Sequence, residues 1–312
     1  MSNATLSVCS WNIRGLGDVD KCNDVLSELS SIKPHLLLLQ ETKLADPSML
    51  KIRSFLPRSL DLFVMTPASG SAGGLLTATN SSSLMILSHT NYSYCSSVKI
   101  QSLASPLTLT ITNVYAPTSC ALKSDFLAEL VSIAPPDHSP WLPVGGFNLI
   151  RFPHEKNNDN FHPNEAVAFN ETLDSLALLE LPLLDRRFTW SNNRETPVLE
   201  RLDRAFFNLA WNNTFPNSNL ISLTRTTSDH VPLLISLSTS VPRSRLLRFE
   251  CFWASRIACR QIVAQACTLP QPPTQSASAH LAHSLQTCRS RLKCWAKSLS
   301  LPPMSGRLDA NA

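Results

Sequence analysis

Glycine, charged residues and long apolar runs are all scarce in this chain of 312 residues. Charged residues make up 16% and hydrophobic residues 43%, which excludes disorder along the whole length and predicts a genuine core. The longest apolar run, residues 36–39, is far too short to cross a bilayer, and the N-terminus lacks the pattern of a secretory signal. We therefore expect a soluble intracellular protein with no membrane partner.

Paired cysteine motifs are also missing. The nine cysteines are scattered and odd in number, and no two are spaced as Cys-x-x-Cys, so neither a disulfide framework nor a zinc site is predicted. Cysteines without a disulfide pattern favour a reducing compartment for the protein. Seven of the eight glycines fall in three clusters, which indicate strand ends and tight turns because glycine permits backbone geometries that other residues resist. The clusters are Gly15/Gly17, Gly70/Gly73/Gly74 and Gly145/Gly146.

Charge is unevenly distributed along the chain. Residues 1–240 carry 17 Lys and Arg against 21 Asp and Glu, a net of −4, whereas residues 241–312 carry 10 against 2, a net of +8. We predict a body, residues 1–240, followed by a basic C-terminal connector, residues 241–312, that is partly helical or disordered. A basic segment indicates a polyanionic partner such as nucleic acid, with a solubilising linker as the alternative.

Short apolar segments alternate with helical patterns through the body. Strands are predicted at residues 6–11, 35–40, 75–79, 84–88, 107–115, 141–144 and 231–237. Helices are predicted at residues 21–32, 121–133 and 164–178, with a further basic helix at 277–298. The third helix is predicted to be capped by Asn164 and to turn Val167, Leu173, Leu176 and Ala177 inward. Strands mixed with flanking helices predict a layered α/β architecture.

Five polar strings lie at or just after predicted strands, where an α/β scaffold usually builds a site. They are residues 11–17 (WNIRGLG), 40–42 (QET), 113–117 (NVYAP), 145–148 (GGFN) and 228–230 (SDH). Each string alone has an ordinary structural explanation, such as a turn, a cap or a surface carboxylate. Their recurrence at strand ends indicates a shared site.

The residue types in these strings suit one kind of chemistry. Glu41 and Asp229 offer the hard oxygen ligands that Mg²⁺ prefers, with Asn12 placed to orient a ligand or contact a phosphate. His230 is suited to neutralise or protonate a phosphoryl oxygen. Two further side chains are suited to hydrogen-bond phosphate oxygens, Tyr115 and Asn148. Together these types predict metal-assisted hydrolysis of a phosphate ester.

The ordered series resembles the endonuclease/exonuclease/phosphatase family, which includes pancreatic DNase and the apurinic/apyrimidinic endonucleases. Four more strings resemble the endonuclease segment of plant LINE-type non-LTR retrotransposons: residues 155–158 (EKNN), 188–192 (FTWSN), 199–204 (LERLDR) and 248–253 (RFECFW). The similarity spans roughly residues 5–260. It implies a DNase I-like, four-layer α/β sandwich in which two packed mixed β-sheets are flanked by helices.

The resemblance also implies the partners of the chain. It implies a Mg²⁺ or Mn²⁺ cofactor, a DNA substrate and hence a nuclear location. LINE polyproteins continue into a reverse transcriptase, whereas this sequence ends at Ala312 and has no Tyr-x-Asp-Asp motif. The resemblance therefore predicts an isolated endonuclease segment whose reverse transcriptase partner originally lay downstream.

The same resemblance implies a role for individual positions. Glu41 matches the main metal-binding glutamate, with Asn12 beside it and Asp229 near the metal. His230 matches the histidine that contacts the scissile phosphate, and Asp203 matches the aspartate that orients it. Two residues match phosphate-site positions, Tyr115 and Asn148. We expect these side chains to converge in one cleft.

One position departs from the family pattern. The family reads Gly-Asp-Phe-Asn where this chain has Gly145, Gly146, Phe147 and Asn148. The missing aspartate activates or positions the attacking water in the family, and glycine has no side chain for that role. Loss of a general base typically costs about 10²–10⁴-fold in rate. Glu155 and Asp185 remain candidates for a substitute carboxylate, and we expect an impaired nuclease.

Three functions remain open from the sequence. The first is a Mg²⁺-dependent endonuclease domain that nicks DNA, and the second is a catalytically dead remnant that binds nucleic acid. The third is another phosphoesterase of the same family, acting on inositol phosphates, lipids or poly(A). Residues 188–192 and 201–204 favour the LINE branch over the third function, and Gly146 separates the first function from the second.

Overall fold

The computed structural model describes residues 6–70, 72–238, 254, 256–268, 270 and 277–299. The chain forms two compact units, Met1–Val241 and Pro242–Ala312. The first unit contains two six-stranded sheets, and the second contains two helices. Residues 243–253, the basic aromatic stretch that resembles the LINE connector, lie outside the described residues.

The first sheet has β1 (Leu6–Asn12) and β2 (Leu36–Gln40) near its centre, paired in parallel. Its other pairings are antiparallel and give the order β13-β14-β1-β2-β4-β3. The remaining strands are β3 (Leu62–Ser69), β4 (Ala72–Thr79), β13 (Asn219–Ser222) and β14 (Leu233–Leu237). All five residues of β2 are buried, as expected for a strand covered on both faces.

The second sheet repeats this plan with β7 (Thr108–Tyr115) parallel to β8 (Trp141–Gly146) at its centre. Its order is β5-β6-β7-β8-β12-β9, and its other pairings are antiparallel. The remaining strands are β5 (Leu84–Asn91), β6 (Cys95–Ser102), β9 (Leu179–Glu180) and β12 (Asp203–Phe207). A separate short ribbon pairs β10 (Trp190–Ser191) with β11 (Leu199–Glu200).

Helices cover the outer face of each sheet. On the first sheet, α1 (Val19–Ile32) and α2 (Met49–Arg53) bury Val25, Leu29 and Ile52 in one apolar cluster with β1, β2 and β4. On the second sheet, α3 (Lys123–Ser132) and α4 (Pro163–Ser175) bury Phe126 and Phe169 in another cluster with β7 and β8. The body is completed by η1 (Cys120–Leu122), η2 (Pro153–Glu155) and α5 (Leu209–Thr214).

The main core lies between the two sheets. It joins Val8 and Leu36 of the first sheet to Ile111, Leu142 and other buried side chains of the second. Helices, two mixed sheets and further helices therefore form four layers, which confirms the predicted sandwich. The polar strings lie at the C-terminal ends of the two parallel strand pairs. Asn12, Tyr115 and Gly146 end their strands, and Glu41 follows β2 directly.

The prediction for α4 was partly wrong. The helix is preceded by His162 at its N-cap, without a side-chain cap bond, and Pro163 rather than Asn164 occupies its start. Val167 is 54% exposed instead of inward, and Ala177 lies beyond the helix with φ of 49°. Leu173 is fully buried as predicted. Proline fits the first helical position because its missing N–H would have no partner there.

In the second unit, the described residues form two helices, α6 (Ile257–Cys267) and α7 (Ala277–Leu299). They pack through Cys259 and Leu292, with Ile262 and Trp295 partly buried against them. The basic pattern at residues 277–298 is helical, as predicted. Within the described part of the chain, no helix combines the length and apolar character needed to span a bilayer.

Candidate active site

The polar strings meet at a cleft of about 420 Å³ at the ends of the central strands of both sheets. Of the residues predicted from sequence, four line this cleft: Glu41, Tyr115, Asn148 and His230. Asn12 is hydrogen-bonded to Glu41 from behind the cleft, and Asp203 is hydrogen-bonded to His230 in the same way. The two sheets thus supply opposite walls, and the site exists only in the packed sandwich.

Glu41 is held in the cleft by a backbone turn with a left-handed conformation, φ 52°. Its carbonyl oxygen accepts a hydrogen bond from the N–H of Gly15 at 2.6 Å, and the next N–H, of Thr42, donates to Gly74 at 3.0 Å. A Cβ at Gly74 would lie 2.4 Å from the Thr42 hydroxyl, so only glycine allows this approach. Asn12 Nδ2 donates to Glu41 Oε1 at 2.9 Å and fixes the carboxylate.

His230 and Asp203 form a buried pair that joins the two sheets, because His230 precedes β14 and Asp203 begins β12. The distance from His230 Nδ1 to Asp203 Oδ2 is 2.8 Å, and the two residues are 3% and 4% exposed. Ser228 ties His230 to the end of β1, because its hydroxyl donates to the Asn12 carbonyl at 2.7 Å and accepts from the His230 N–H at 3.2 Å. Thr189 Oγ1 accepts from the Asp203 N–H at 2.9 Å. The imidazole is therefore anchored through Nδ1, which leaves Nε2 for the cleft.

Gly146 lies between these two groups. It pairs with Tyr115 on β7 and with Asp203 on β12, so it occupies the middle of three neighbouring strands. A Cβ built there would lie 3.6 Å from Asp203 Oδ1, 3.8 Å from Asn12 Nδ2 and 3.9 Å from Tyr115 Cδ2. A side chain at this position would thus enter the site at ordinary contact distances. Asp203 Oδ1 is buried and has no hydrogen-bond partner among the described residues.

Gly145 differs from Gly146 in its backbone conformation and in the space around its Cβ position. Its φ is +142°, and a Cβ there would lie 2.1 Å from the carbonyl oxygen of Val114. Glycine is required at this position by the close approach of β7, whereas nothing in the backbone requires it at Gly146. Replacement of an aspartate at position 146 is therefore a change of chemistry and not of fold.

Tyr115 and Asn148 complete the floor of the cleft. Burial, followed by the negative charge and hydrogen bond of Glu41, raises the pKa of Tyr115, so its hydroxyl stays protonated and can donate. Asn148 has φ of 48°, and its Nδ2 donates to the Ala116 carbonyl at 2.6 Å. Ala116 in turn donates to the carbonyl of Gly146 at 2.9 Å. The turn that follows β8 is thereby closed, and one amide hydrogen of Asn148 remains for a ligand.

Asp229 faces a different way from the other predicted ligands. Its Oδ2 accepts hydrogen bonds from Arg14 and, at 2.9 Å, from Trp190 Nε1. It lines an adjoining surface groove and is not among the residues that line the cleft around Glu41. In this geometry Asp229 fixes Arg14 and Trp190 in place, and a role as metal ligand would require it to exchange these partners.

The donor set fits a Mg²⁺ ion held mainly by one carboxylate. Glu41 presents oxygen to the cleft, but the Asn12 amide oxygen accepts from the Arg14 N–H at 3.2 Å, so Asn12 orients Glu41 here. The described residues contain no group of three or more His, Cys, Asp or Glu arranged to hold a metal. Mg²⁺ nonetheless binds through one or two carboxylates when substrate phosphates and waters supply the other ligands.

The two candidate substitute carboxylates lie elsewhere. Glu155 is buried and forms a double hydrogen bond to the fully buried guanidinium of Arg204. Burial alone would raise the pKa of Glu155, but the hydrogen bonds and charge of Arg204 outweigh it and lower that pKa. Asp185 accepts from the N–H and hydroxyl of Ser222 on β13, at 2.9 and 2.8 Å. Neither side chain lines the cleft.

Sequence reasoning did not assign roles to several residues of the cleft wall. Arg14 and Trp190 line it beside His230, and Lys156 and Glu200 form an ion pair of 2.6 Å farther along the wall. All four lie inside the strings that resemble the family, so the resemblance could have identified them as candidates for the site. Their function as a wall depends on contacts between β11, β12 and the loop after β8, which no local pattern reveals.

The comparisons with known proteins agree with this geometry. The fold is shared with an AP endonuclease from Leishmania major, at 14% identity over 75% of this chain and 88% of that chain, with a TM-score of 0.61. It is shared with the endonuclease domain of TRAS1, a telomere-specific non-LTR retrotransposon, at 15% identity over 78% of this chain and 100% of that chain, with a TM-score of 0.54. It is also shared with TDP2 of D. rerio complexed with a single-strand DNA product, at 15% identity over 75% of this chain and 98% of that chain, with a TM-score of 0.52. No curated protein matches the sequence. Identities this low establish the fold alone. The sequence itself matches the Endonuclease/Exonuclease/phosphatase family over residues 9–230, the segment that carries the whole cleft, and the chain belongs to that family.

Proposed function

We propose that this chain is the endonuclease domain of a LINE-type non-LTR retrotransposon, a Mg²⁺-dependent phosphodiesterase that nicks DNA, and that Gly146 impairs it. The single observation that carries this proposal is the convergence of the Asn12–Glu41 pair and the Asp203–His230 pair in one cleft with Tyr115 and Asn148. DNA as the substrate is supported by neighbours that are AP and retrotransposon endonucleases or hold a DNA product. A DNA substrate implies a nuclear location.

The chain's own residues would hold and neutralise a phosphodiester. His230, held by Asp203 through Nδ1, would contact a non-bridging phosphate oxygen through Nε2. Asn148 would donate a further hydrogen bond to the same phosphate group, and Tyr115 would do so by turning its hydroxyl from Glu41 to the phosphate. These bonds would fix the orientation of the phosphate. Donors that are fixed before the substrate arrives favour the charge that develops in the transition state.

Glu41 would hold the Mg²⁺ ion, with Asn12 fixing its carboxylate. When bound, the metal would supply charge neutralisation at the phosphate and leaving oxygens. Gly146 lies between these two halves of the site and has no side chain, so we infer that the cleft would bind a phosphate but would lack the group that activates the attacking water. This is the specific observation that favours the second candidate, a catalytically dead domain that binds nucleic acid.

A nicking assay on supercoiled plasmid tests the proposal. We expect the unaltered chain to relax plasmid very slowly in Mg²⁺, the Gly146→Asp variant to relax it at least about 10²-fold faster, and EDTA to abolish both activities. Glu41→Gln in the Gly146→Asp background should return the rate to background. DNA binding without nicking in a well-folded Gly146→Asp variant would leave the binding remnant as the function, and hydrolysis of an inositol phosphate but not DNA would identify another phosphoesterase.

A further inference from the structure

A pair of buried amide side chains joins the two sheets behind the cleft. Gln40 is the last residue of β2 in the first sheet, and Asn113 lies near the end of β7 in the second. Both are completely buried, and Leu38 and Ile111 on the same strands belong to the apolar core between the sheets. Polar groups in such a core are destabilising unless they are hydrogen-bonded, so the partners of the two amides indicate what the pair does.

The two amides fix the sheets against each other. Gln40 Nε2 donates to Asn113 Oδ1 at 2.6 Å across the core, and to Ser10 Oγ of β1 at 3.1 Å. Asn113 Nδ2 donates to the carbonyl oxygens of Leu39 on β2 and Leu76 on β4, each at 3.2 Å. One side chain of the second sheet is therefore bound to two neighbouring strands of the first, which holds β7 against β2 and β4.

Stability alone does not account for this pair. Gln40 Oε1 is buried and accepts no hydrogen bond from the residues that the structure describes. A buried acceptor without a donor destabilises a fold, whereas apolar side chains of the same shape at both positions would avoid that penalty. The amides are therefore better explained by what they position than by the stability that they add.

The amide pair is adjacent to the groups that we assign to the metal and the phosphate. Glu41 follows Gln40 directly, and Tyr115 lies two residues beyond Asn113 and so on the same face of β7. Burial, followed by the charge and hydrogen bond of Glu41, raises the pKa of Tyr115, which places these two side chains in contact. Two successive contacts thus cross from sheet to sheet. The first is buried, and the second opens into the cleft.

We propose that Gln40 and Asn113 are positioning residues, and that their hydrogen bond sets the separation between Glu41 and Tyr115 at which Glu41 binds a divalent cation. The inference rests on the proposed Mg²⁺-dependent function. Both amides lie outside the lining of the cleft, so each acts through the cleft residue that follows it in sequence. Loss of the pair lets the two sheets shift at this end of the sandwich and weakens the binding of the cation by Glu41.

Binding of Mn²⁺ to the full chain tests this inference without any need for cleavage. The Kd is measured by electron paramagnetic resonance of free Mn²⁺, and Glu41→Gln defines the binding that does not belong to the cleft. The test variant is Gln40→Met/Asn113→Leu, because replacing both partners by apolar groups of similar shape removes the hydrogen bond with little effect on stability. A second variant, Gln40→Asn/Asn113→Gln, exchanges the amides and keeps the combined length of the two side chains.

The matched control is Asn91→Leu, which removes another link between the sheets. Asn91 Nδ2 on β5 donates to the Met65 carbonyl on β3 at 3.1 Å, and Asn91 Oδ1 accepts from Thr66 Oγ1 at 2.8 Å. This link lies at the exposed edges of the two sheets, and none of its residues lines the cleft. The control therefore separates a general loosening of the sandwich from an effect on the site.

The Gln40→Met/Asn113→Leu variant should bind Mn²⁺ about 10-fold more weakly than the unaltered chain, at the low end for groups that act behind a metal ligand. The exchange variant should recover most of that loss, and Asn91→Leu should bind as the unaltered chain does. An unchanged Kd in a Gln40→Met/Asn113→Leu variant of unchanged melting temperature would overturn the proposal and leave the proposed nuclease intact. So would a failure of that variant to fold, since the pair would then serve the sandwich as a whole. If Glu41→Gln binds Mn²⁺ as the unaltered chain does, the metal site itself is refuted, and the positioning inferred from it is refuted too.

Discussion

The most informative perturbation of this molecule is Gly146→Asp, because it restores one carboxylate to a site whose other groups are in place. Gly146 is not in the left-handed region of backbone space, and its Cβ position has contacts no closer than 3.6 Å. A Cβ therefore fits there without a shift of β7, β8 or β12. It would lie near Asn12 and Asp203, beside the residues that hold His230 and Glu41.

The expected gain follows from what surrounds that position. A positioned general base contributes about 10²–10⁴-fold, and 10²-fold corresponds to about 2.7 kcal/mol in the barrier. Asn12 Nδ2, 3.8 Å from the Cβ position, can stabilise the new carboxylate, but Asp203 Oδ1 at 3.6 Å brings a like charge. We therefore expect a gain at the low end of the range, about 10²-fold in kcat, with a thermal stability that rises when Mg²⁺ is added.

The assay is single-turnover nicking of supercoiled plasmid, quantified as open circles over time. Gly146→Asn is the matched control, because it adds the same volume without a charge and should give no rescue. Gly145→Asp should fail to fold, since its Cβ would lie 2.1 Å from Val114 O. Two results would refute the reasoning: no rescue in a folded Gly146→Asp variant, or robust Mg²⁺-dependent nicking by the unaltered chain that Glu41→Gln abolishes.

Three other predictions address the positioning pair, the buried ions and the tail. In the Gly146→Asp background, Asp203→Asn and His230→Gln should each lower nicking by about 10²-fold, and their combination should cost little more, because the pair acts as a unit. Arg204→Met should lower the free energy of unfolding by about 3–5 kcal/mol in urea titrations, since it leaves Glu155 buried and unpaired; an unchanged midpoint would contradict the buried pair. Deletion of residues 256–312 should remove most of the non-specific DNA affinity and flatten its salt slope, and binding that is unaffected would refute a role for the basic tail.

The apolar pattern predicted the layered α/β class, whereas the two-sheet sandwich was predicted by the family resemblance. Buried strands such as β2 read as continuous apolar runs, and the polar residues that follow them lie at strand ends, so their convergence follows from the sandwich itself. Gly146 could be singled out before any geometry was known, because its neighbours Phe147 and Asn148 keep the family pattern. The structure adds that neither the backbone conformation nor the surrounding space at position 146 requires glycine.

Seven strands escaped sequence reasoning, and for β3 and β12 the physical reason is clear. The clearest case is β12, which begins with Asp203 and Arg204 and so lacks an apolar start. Arg204 is tolerated at zero exposure because Glu155 and Glu180 neutralise it, and these partners are 49 and 24 residues away in sequence. Edge strand β3 contains Pro67, which a central strand would exclude. The other missed strands are β6, β13 and the two-residue strands β9, β10 and β11.

The orientation of Asp229 shows where residue type stops being informative. Its position in the string 228–230 suggested a metal ligand, yet its carboxylate accepts from Arg14 and Trp190. Trp190 arrives from the β10–β11 ribbon, 39 residues away, and only the assembled sandwich brings the two together. A carboxylate with such partners is suited to placing a cation and an aromatic ring beside a substrate.

Backbone strain indicates which turns around the site the sequence specifies. Four residues around the site adopt left-handed conformations that non-glycine residues seldom occupy: Arg14, Glu41, Lys43 and Asn148. Each costs on the order of 1 kcal/mol and persists only when its surroundings dictate it. The turns that place Glu41 and Asn148 are therefore specified by the sequence, although no carboxylate stands at position 146. Since the impairment that we propose rests on this one position, a single substitution, Gly146→Asp, is expected to restore nicking.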